Sequence, residues 1–339
     1  MPTTAPFWLR LLMIAILPGL VQYAAAEEPT SIRFSPRTEI RLATAEQGRE
    51  LIARRDDFTA ALSTFDLQSR LKTDKKVAVD DLLALYREHV TDWPAEDAAA
   101  VVKAVSAVRD RLKEIVLPLP ETVSIVRTSG KEESGAAYCR GPAIVLPENL
   151  IHQQQAGLER LVAHELFHVL SSHNPELKRD LYAIIGFTLC EPIAVPAALK
   201  SHTIANPDAP RSDCTIDLEL ADGEKVTAAP LLLAAPAVFD PAAGKTMFEY
   251  LQFRLMVVEK AGKSWRAVES DGQPRLLDPR KLDSFWAQIG RNTGYIIHPD
   301  EILADNFAHL VMESARLPSP AIVEKMRARL ARSTKDDVP

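Results

Sequence analysis

Apolar residues recur at the three- and four-residue spacing of a helix throughout residues 43–116, whereas later parts of the chain follow other patterns. Pro94 stands at the start of the last of these segments, and Pro118 and Pro120 follow its end, as is typical of helix boundaries. The pattern predicts four helices, at residues 45–55, 57–71, 79–89 and 95–115.

Beyond residue 120, short apolar runs bounded by glycine and serine predict strands between further helices. Asp222-Gly223 separates two such runs and predicts a hairpin turn. The mixture predicts an α+β fold. The predicted strands are 122–127, 143–147, 215–220, 224–228, 248–259 and 264–268, and the predicted helices are 158–170, 175–186, 279–289, 299–310 and 318–332.

The first 26 residues have the order of a secretory signal peptide. Arg10 precedes an apolar run over residues 11–20, and Ala24-Ala25-Ala26 provides small residues for cleavage. An uncleaved membrane anchor is the alternative, but the apolar run is short for a membrane span and Pro18 interrupts it. We therefore expect a secreted or periplasmic protein, without stable membrane insertion after cleavage at Ala26.

Composition excludes several classes of protein. With 47% hydrophobic residues and 25% charged residues, the chain is too apolar to be disordered. A net charge of −6 without any basic run argues against a nucleic-acid partner. Three cysteines are too few for a disulfide scaffold. In an oxidising compartment Cys190 and Cys214 are expected to pair, which leaves Cys139 unpaired; alternatively, all three are small buried residues.

The segment that indicates chemistry is His164-Glu165-Leu166-Phe167-His168. Histidines at i and i+4 share one face of a helix, so both imidazoles can reach a single Zn²⁺ ion. Glu165 is offset by one residue, which lets its carboxylate face the water on the metal without binding the metal. Zinc lowers the pKa of that water to about 7, and Glu165 can then act as general base.

A catalytic zinc ion needs a third protein ligand and one open position. The metzincin pattern requires glycine at position 171 and histidine at 174, and this chain has Ser171 and Asn174 instead. The remaining solution is a carboxylate on a second helix. On the helix that Pro299 opens, Glu301 and Asp305 share a face. Glu301 would ligate zinc, and Asp305 would accept a hydrogen bond from the far nitrogen of a ligating histidine.

These motifs resemble those of the gluzincins, the thermolysin-like zinc metallopeptidases, and the stretch 289–301 also looks like that of uncharacterised secreted bacterial zincins. The resemblance implies a zincin-like core, a small mixed sheet with an active-site helix, one zinc ion and a peptide or protein substrate. It also implies a strand that binds substrate backbone, for which residues 143–146 are the candidate. The spacing differs, because 133 positions separate His168 from Glu301, far more than in thermolysin.

We expect the chain to divide into a helical N-terminal region, a catalytic domain with an insert, and a C-terminal helix and tail. The boundaries are 27–118, 119–317 with the insert at about 187–280, and 318–339. The sequence does not decide whether residues 27–118 are an inhibitory pro-segment or part of the fold, nor the oligomeric state.

Further polar residues could complete the site. Tyr295 is a candidate donor to the oxyanion of a tetrahedral intermediate, and His298 is a weaker candidate. His309 could act as a rival ligand or support one, and His202 could line the cleft. Two other functions stay open: a zinc hydrolase of a non-peptide amide, from the cell wall or a small molecule, and a non-catalytic binding protein with a structural zinc site of four protein ligands.

Overall fold

A computed structural model describes residues 30–336 of the chain, with side chains placed through residue 332. The predicted signal peptide lies outside the described residues. The strands are β1 (Ser31–Arg33), β2 (Glu39–Leu42), β3 (Thr122–Thr128), β4 (Tyr138–Arg140), β5 (Ala143–Pro147), β6 (Phe187–Leu189), β7 (Cys214–Glu219), β8 (Lys225–Ala234), β9 (Leu251–Ala261), β10 (Ser264–Ala267), β11 (Glu269–Ser270), β12 (Gln273–Pro274) and β13 (Leu276–Leu277). The helices are α1 (Ala45–Ile52), α2 (Asp57–Ala61), α3 (Thr64–Arg70), α4 (Val79–His89), α5 (Ala95–Arg111), α6 (Glu148–Ile151), α7 (Gln155–His173), α8 (Pro175–Ile184), α9 (Met247–Tyr250), α10 (Asp283–Ile289), α11 (Pro299–Val311) and α12 (Pro320–Asp336).

The first sheet has five strands in the order β1-β2-β3-β5-β4. Its three inner strands are parallel, and the two outer strands run antiparallel to their neighbours. Apolar side chains cover both faces, as parallel strands require. Ile125 and Ile144 pack with the buried face of α7, whereas Val126 and Val145 pack with α1 and α4.

The second sheet is antiparallel and occupies the predicted insert. Its strands follow the order β10-β9-β8-β7-β6, and β13 also pairs with β9. The predicted hairpin is present as β7 and β8, with Gly223 in its turn at a φ of 85°. Helices and sheets thus coexist along the chain, consistent with the predicted α+β class. The predicted domain boundaries stay a prediction.

Helices α7 and α11 pack against each other and place the predicted site residues face to face. Phe167 and Phe307 are fully buried between them, with ring centroids 5.7 Å apart. Asn174 ends α7, since its side-chain amide donates to the Leu170 carbonyl at 2.8 Å. At the start of α11, His298 Nδ1 accepts a hydrogen bond from the Asp300 amide, which is a capping contact.

The N-terminal region is not wholly helical, which corrects the prediction for residues 27–118. Strands β1 and β2 belong to it, and β2 pairs in parallel with β3. Both strands are too short to show an alternating pattern. The single helix predicted over 57–71 is two helices, because Ser63 forms its own capping box with Asp66 and starts α3 there.

All three cysteines are free, so the proposed pair of Cys190 and Cys214 is not formed in the structure. Cys139 and Cys214 are buried, in keeping with the alternative of small core residues. Of the helices within residues 30–336, none combines the length and the apolar character needed to cross a bilayer.

Candidate metal centre

Three predicted metal ligands converge on one point between α7 and α11. His164 and His168 lie one turn apart on α7, and Glu301 stands in the first turn of α11. Glu301 Oε2 is 3.2 Å from His164 Nε2 and 3.4 Å from His168 Nε2. The donor atoms of the three residues lie within 4.8 Å of one another. Two imidazole nitrogens and a carboxylate oxygen are a donor set that suits zinc.

Each histidine binds a carboxylate through its other ring nitrogen. His164 Nδ1 lies 3.2 Å from Asp305 Oδ1, and His168 Nδ1 lies 2.8 Å from Asp300 Oδ2. When Nδ1–H donates to a carboxylate, the ring is oriented and Nε2 is left unprotonated for a metal ion. Both Nε2 atoms lie toward Glu301 Oε2, where the two rings could bind one metal ion.

Asp300 is a site residue that the sequence analysis missed. It is 1% exposed, and its Oδ1 accepts hydrogen bonds from Ser171 Oγ at 2.6 Å and Tyr182 OH at 2.9 Å. Burial would raise the pKa of Asp300, but the hydrogen bond with His168, the charge of Lys178 and the hydrogen bond from Ser171 lower it to about 2. Its position beside Glu301 was the only available signal, since a second carboxylate in a first helical turn is also typical of ordinary helix starts.

Asp305 lies where the sequence analysis places it, on the outer side of His164. Its other oxygen accepts a hydrogen bond from the Thr293 hydroxyl, and Arg160 approaches Oδ1 at 3.3 Å. The Asp305 side chain is 18% exposed, so this support is more open to water than that of Asp300. The hydrogen bond with His164 and the other neighbours hold the pKa of Asp305 below its usual value, against the effect of burial.

The charges of the cluster are mutually dependent. Burial by itself lowers the pKa of an imidazole, but hydrogen bonds to Asp305 and Glu301 raise the pKa of His164 to about 9. Burial likewise opposes ionisation of Glu301, yet the two histidines hold its pKa well below the usual value. Without a metal ion, protons on the histidines balance the carboxylates; a divalent cation would supply the same positive charge.

Glu165 lies beside this cluster and is 3% exposed. The Cys139 thiol donates to Glu165 Oε2 at 3.4 Å. Burial raises the pKa of Glu165, while the neighbouring histidines oppose the rise. A raised pKa is suited to a group that takes up a proton and later releases it. The carboxylate oxygens of Glu165 and Asp208 lie, with Cys139 Sγ, within 4.8 Å of one another.

Two cavities flank the cluster. One, of about 370 Å³, is lined by His164, Glu165, Glu301 and Tyr295. The other, of about 480 Å³, lies on the side of His168. The side chain of Asp208 lines both cavities, which therefore approach each other beside the proposed metal position.

Tyr295 is placed at the mouth of the first cavity. Its ring centroid is 6.3 Å from that of His164, and the residue is 43% exposed. Partial burial and the surrounding carboxylates raise the pKa of Tyr295, so the phenol keeps its proton and can donate it in a hydrogen bond. Its predicted role as a donor to the oxyanion stays a prediction.

The prediction that residues 143–146 bind substrate backbone is wrong. These residues form an inner strand of the sheet, β5. Both edges of β5 are already paired, with β3 on one side and β4 on the other. The edge strand is β4, at the end of the sheet. Its Cys139 amide donates to Asp208 Oδ1 at 2.6 Å. Any backbone pairing next to the site would therefore involve β4.

The other three histidine candidates, His298, His309 and His202, do not point their ring nitrogens at the proposed metal position. His298 caps α11, and burial lowers its pKa to about 4. His309 contacts the Asn292 carbonyl at 3.2 Å and Ser314 Oγ at 2.9 Å, and Arg160 joins it to Asp305 at the outer side of the cluster. The ring nitrogens of His202 are buried without a hydrogen-bond partner among the described residues. None of the three belongs to the group of converging donor atoms.

A second residue missed by sequence reasoning is Asn206, whose Nδ2 donates to Glu301 Oε1 at 2.7 Å. It comes from the segment before β7, on the insert. A single asparagine in a loop follows no periodic pattern, so the sequence offers no signal for this contact.

Comparison with known proteins identifies no relative: no family model, no curated protein and no solved structure matches this chain. Its function must therefore be argued from the geometry of the site.

Proposed function

We propose that the protein is a secreted zinc metallopeptidase of gluzincin type, with Glu165 as general base. One observation carries the proposal: two histidine Nε2 atoms and one Glu301 oxygen converge, and each histidine is oriented by its own buried or half-buried carboxylate. Metal-binding histidines commonly have this second hydrogen bond to a carboxylate, whereas histidines that only pack in a core do not require it.

The number of donors favours catalysis over a structural role. His164, His168 and Glu301 provide three protein ligands, and a structural zinc site has four. A zinc ion held there would supply Lewis acidity, which polarises a substrate carbonyl and lowers the pKa of water to about 7. The adjoining cavities provide room for a substrate on either side.

The surrounding residues fit the steps of amide hydrolysis. Glu165 takes a proton from the attacking water and passes it to the leaving amine. Tyr295, at the cavity mouth, donates a hydrogen bond to the oxyanion. The edge strand β4 lies beside Glu165, and an extended peptide that paired with it would have to displace Asp208 from the Cys139 amide. In this interpretation the first sheet and α7 form a zincin-like core, and β6–β13 form the insert.

The test begins with metal content. Purified full-length protein is expected to bind one zinc ion per chain, measured by atomic emission after dialysis. Glu165→Gln should keep that zinc and lose hydrolysis by about 10²–10⁴-fold, because the general base is removed while the ligands remain. Glu159→Gln is the matched control: it makes the same change on the same helix, where Glu159 pairs with Arg111. It should leave both zinc and activity intact.

Absence of stoichiometric zinc in the wild-type protein would contradict the proposal, as would full activity in Glu165→Gln. The substrate class is tested separately, by profiling the wild-type protein against peptide and peptidoglycan libraries. Cleavage confined to peptidoglycan amides would show that the protein is a cell-wall hydrolase and not a peptidase.

A further inference from the structure

The chain returns to the metal centre at residues 205–208, between the helices of the N-terminal region and α11. Asn206 Nδ2 donates to Glu301 Oε1 at 2.7 Å, and the Asp208 amide donates to Asn206 Oδ1 at 3.0 Å. A backbone N–H can only donate, so Oδ1 must face Asp208. The NH₂ group of Asn206 must therefore face Glu301.

This contact gives the two carboxylate oxygens of Glu301 different partners. Oε1 is held by Asn206, and Oε2 is directed at His164 Nε2 and His168 Nε2. A carboxylate free of such a contact can turn and bind a metal ion through both oxygens. With Oε1 occupied by an N–H donor, Glu301 offers a single oxygen.

Asn206 is held in place from the N-terminal helices. The preceding residue, Ala205, donates its amide to Asp66 Oδ2 at 3.1 Å and accepts from Arg70 Nη2 at 3.2 Å. The side chains of Asp66 and Arg70 are fully buried, and Arg70 also binds Glu133 Oε1 at 2.7 Å. An ionic network in the core therefore fixes the backbone next to Asn206, whereas the backbone of an open surface loop has no such support.

We propose that Asn206 is a positioning residue that restricts Glu301 to one-oxygen coordination and so keeps a coordination position open for water and substrate. The inference rests on the proposed zinc site. It extends that site to the insert and, through Ala205, to α3, neither of which contributes a metal ligand.

The experiment compares Asn206→Ala and Asn206→Leu with the wild-type protein. Loss of the Asn206 amide should weaken zinc binding by about 10–100-fold, the usual effect of removing a group that orients a ligand. The cobalt(II)-substituted variants should absorb visible light more weakly than wild type, because a fifth ligand oxygen reduces the intensity of these bands. Asn206→Leu keeps the number and branching of the side-chain heavy atoms, which separates loss of the hydrogen bond from loss of packing.

Asn174→Ala is the matched control, since Asn174 is also a half-buried asparagine whose amide donates to two carbonyls, at Pro118 and Leu170. It touches no metal ligand. It should change thermal stability while leaving the zinc affinity and the cobalt spectrum as in wild type.

The outcomes separate the two proposals. If the wild-type protein binds no zinc, the proposed function fails. If the wild type binds zinc and either Asn206 variant folds with unchanged affinity and cobalt spectrum, the role of Asn206 is refuted. Should neither variant fold, the zinc-loaded wild-type crystal structure decides: one Glu301 oxygen on zinc supports the proposal, and both oxygens on zinc overturn it.

Discussion

At the level of single residues, the two histidines differ in how firmly they are held. Each of the two orienting carboxylates has three side-chain partners, but Asp300, which orients His168, is 1% exposed, whereas the side chain of Asp305, which orients His164, is 18% exposed. A buried hydrogen bond to a charged group is worth more than an exposed one, because water does not compete for it.

We therefore expect Asp300→Asn to weaken zinc binding more than Asp305→Asn does. The asparagine keeps the shape of the side chain but no longer fixes His168 Nδ1 as the donor, and a loss of about 10–100-fold in zinc affinity is expected. Competition titration with a zinc chelator measures both variants. Equal losses, or a larger loss in Asp305→Asn, would show that burial does not decide the strength of this support.

Glu132 allows a test of pH dependence away from the candidate metal centre. It is fully buried, its carboxylate oxygens have no hydrogen-bond partner among the described groups, and burial raises its pKa to about 7. The unfolded chain loses this proton near pH 4.5, so the folded state binds more protons between pH 4.5 and 7. Stability should therefore fall as the pH rises through that window, by about 3 kcal/mol in all at 1.36 kcal/mol per unit.

Glu132→Gln removes this titration and should unfold at higher urea concentration than wild type at pH 8. At pH 4 the two proteins should be nearly equal in stability, because Glu132 is protonated in both states there. A constant difference across the pH range would show that packing, and not ionisation, is the cause.

Sequence reasoning located the residues of the site that follow a fixed spacing. The i, i+4 pairs of His164 with His168 and of Glu301 with Asp305 are visible in one dimension, and the structure brings all four together. Asn206 could not be found in this way, because its contact joins a loop to a helix 95 positions later.

At the level of elements, the site depends on the packing of α7 against α11. One helix presents two of the proposed ligands and the other presents the third, and the rings of Phe167 and Phe307 fill the interface. Since protein interiors are close-packed, a void between these helices lets them shift relative to each other.

Phe307→Ala is expected to destabilise the protein by about 3–5 kcal/mol, the usual cost of a large cavity. It should also weaken zinc binding, because the third ligand lies on the same helix. Phe307→Leu is the matched control, and it should lose less stability and less zinc affinity than Phe307→Ala. Urea unfolding and zinc titration are the measurements, and a destabilised Phe307→Ala protein with wild-type zinc affinity would show that the helices keep their spacing.

Among the elements, those with a long periodic pattern were predicted well, and α4 has the predicted bounds of 79–89. Strands β1 and β4 have three residues each, too few to show alternation. The sequence pattern predicts β5 and not β4 as the substrate-binding strand because the order of strands in a sheet is set by tertiary packing, which a local pattern does not record.

At the level of the whole molecule, the N-terminal region is joined to the rest of the fold by a sheet and by an ionic network. Strand β2 pairs with β3, and Arg70 binds Asp66, Glu133 and the Ala205 carbonyl in the core. These contacts favour a role as part of the fold over that of a removable pro-segment. We expect mass spectrometry of the protein isolated from its native cells to find the N-terminal region retained.

Arg70→Ala should cost about 3–5 kcal/mol in unfolding free energy, because it leaves two buried carboxylates without their cation. Arg55→Ala is the control, since its salt bridge with Asp80 is exposed and such pairs contribute about 0–1 kcal/mol. Urea unfolding compares the two variants. Similar losses in both would mean that the network contributes no more than a surface ion pair.

The long separation between the proposed ligands has a consequence for folding. The two histidines lie only four positions apart, whereas Glu301 is 133 positions past His168 and the whole second sheet lies between them. Closing so long a loop is slow and becomes favourable only once the intervening strands have paired. The complete ligand set would thus be among the last features to assemble. A chain truncated before α11 would contain the histidines and Glu165 but lack Glu301, so the proposed activity would require the complete fold.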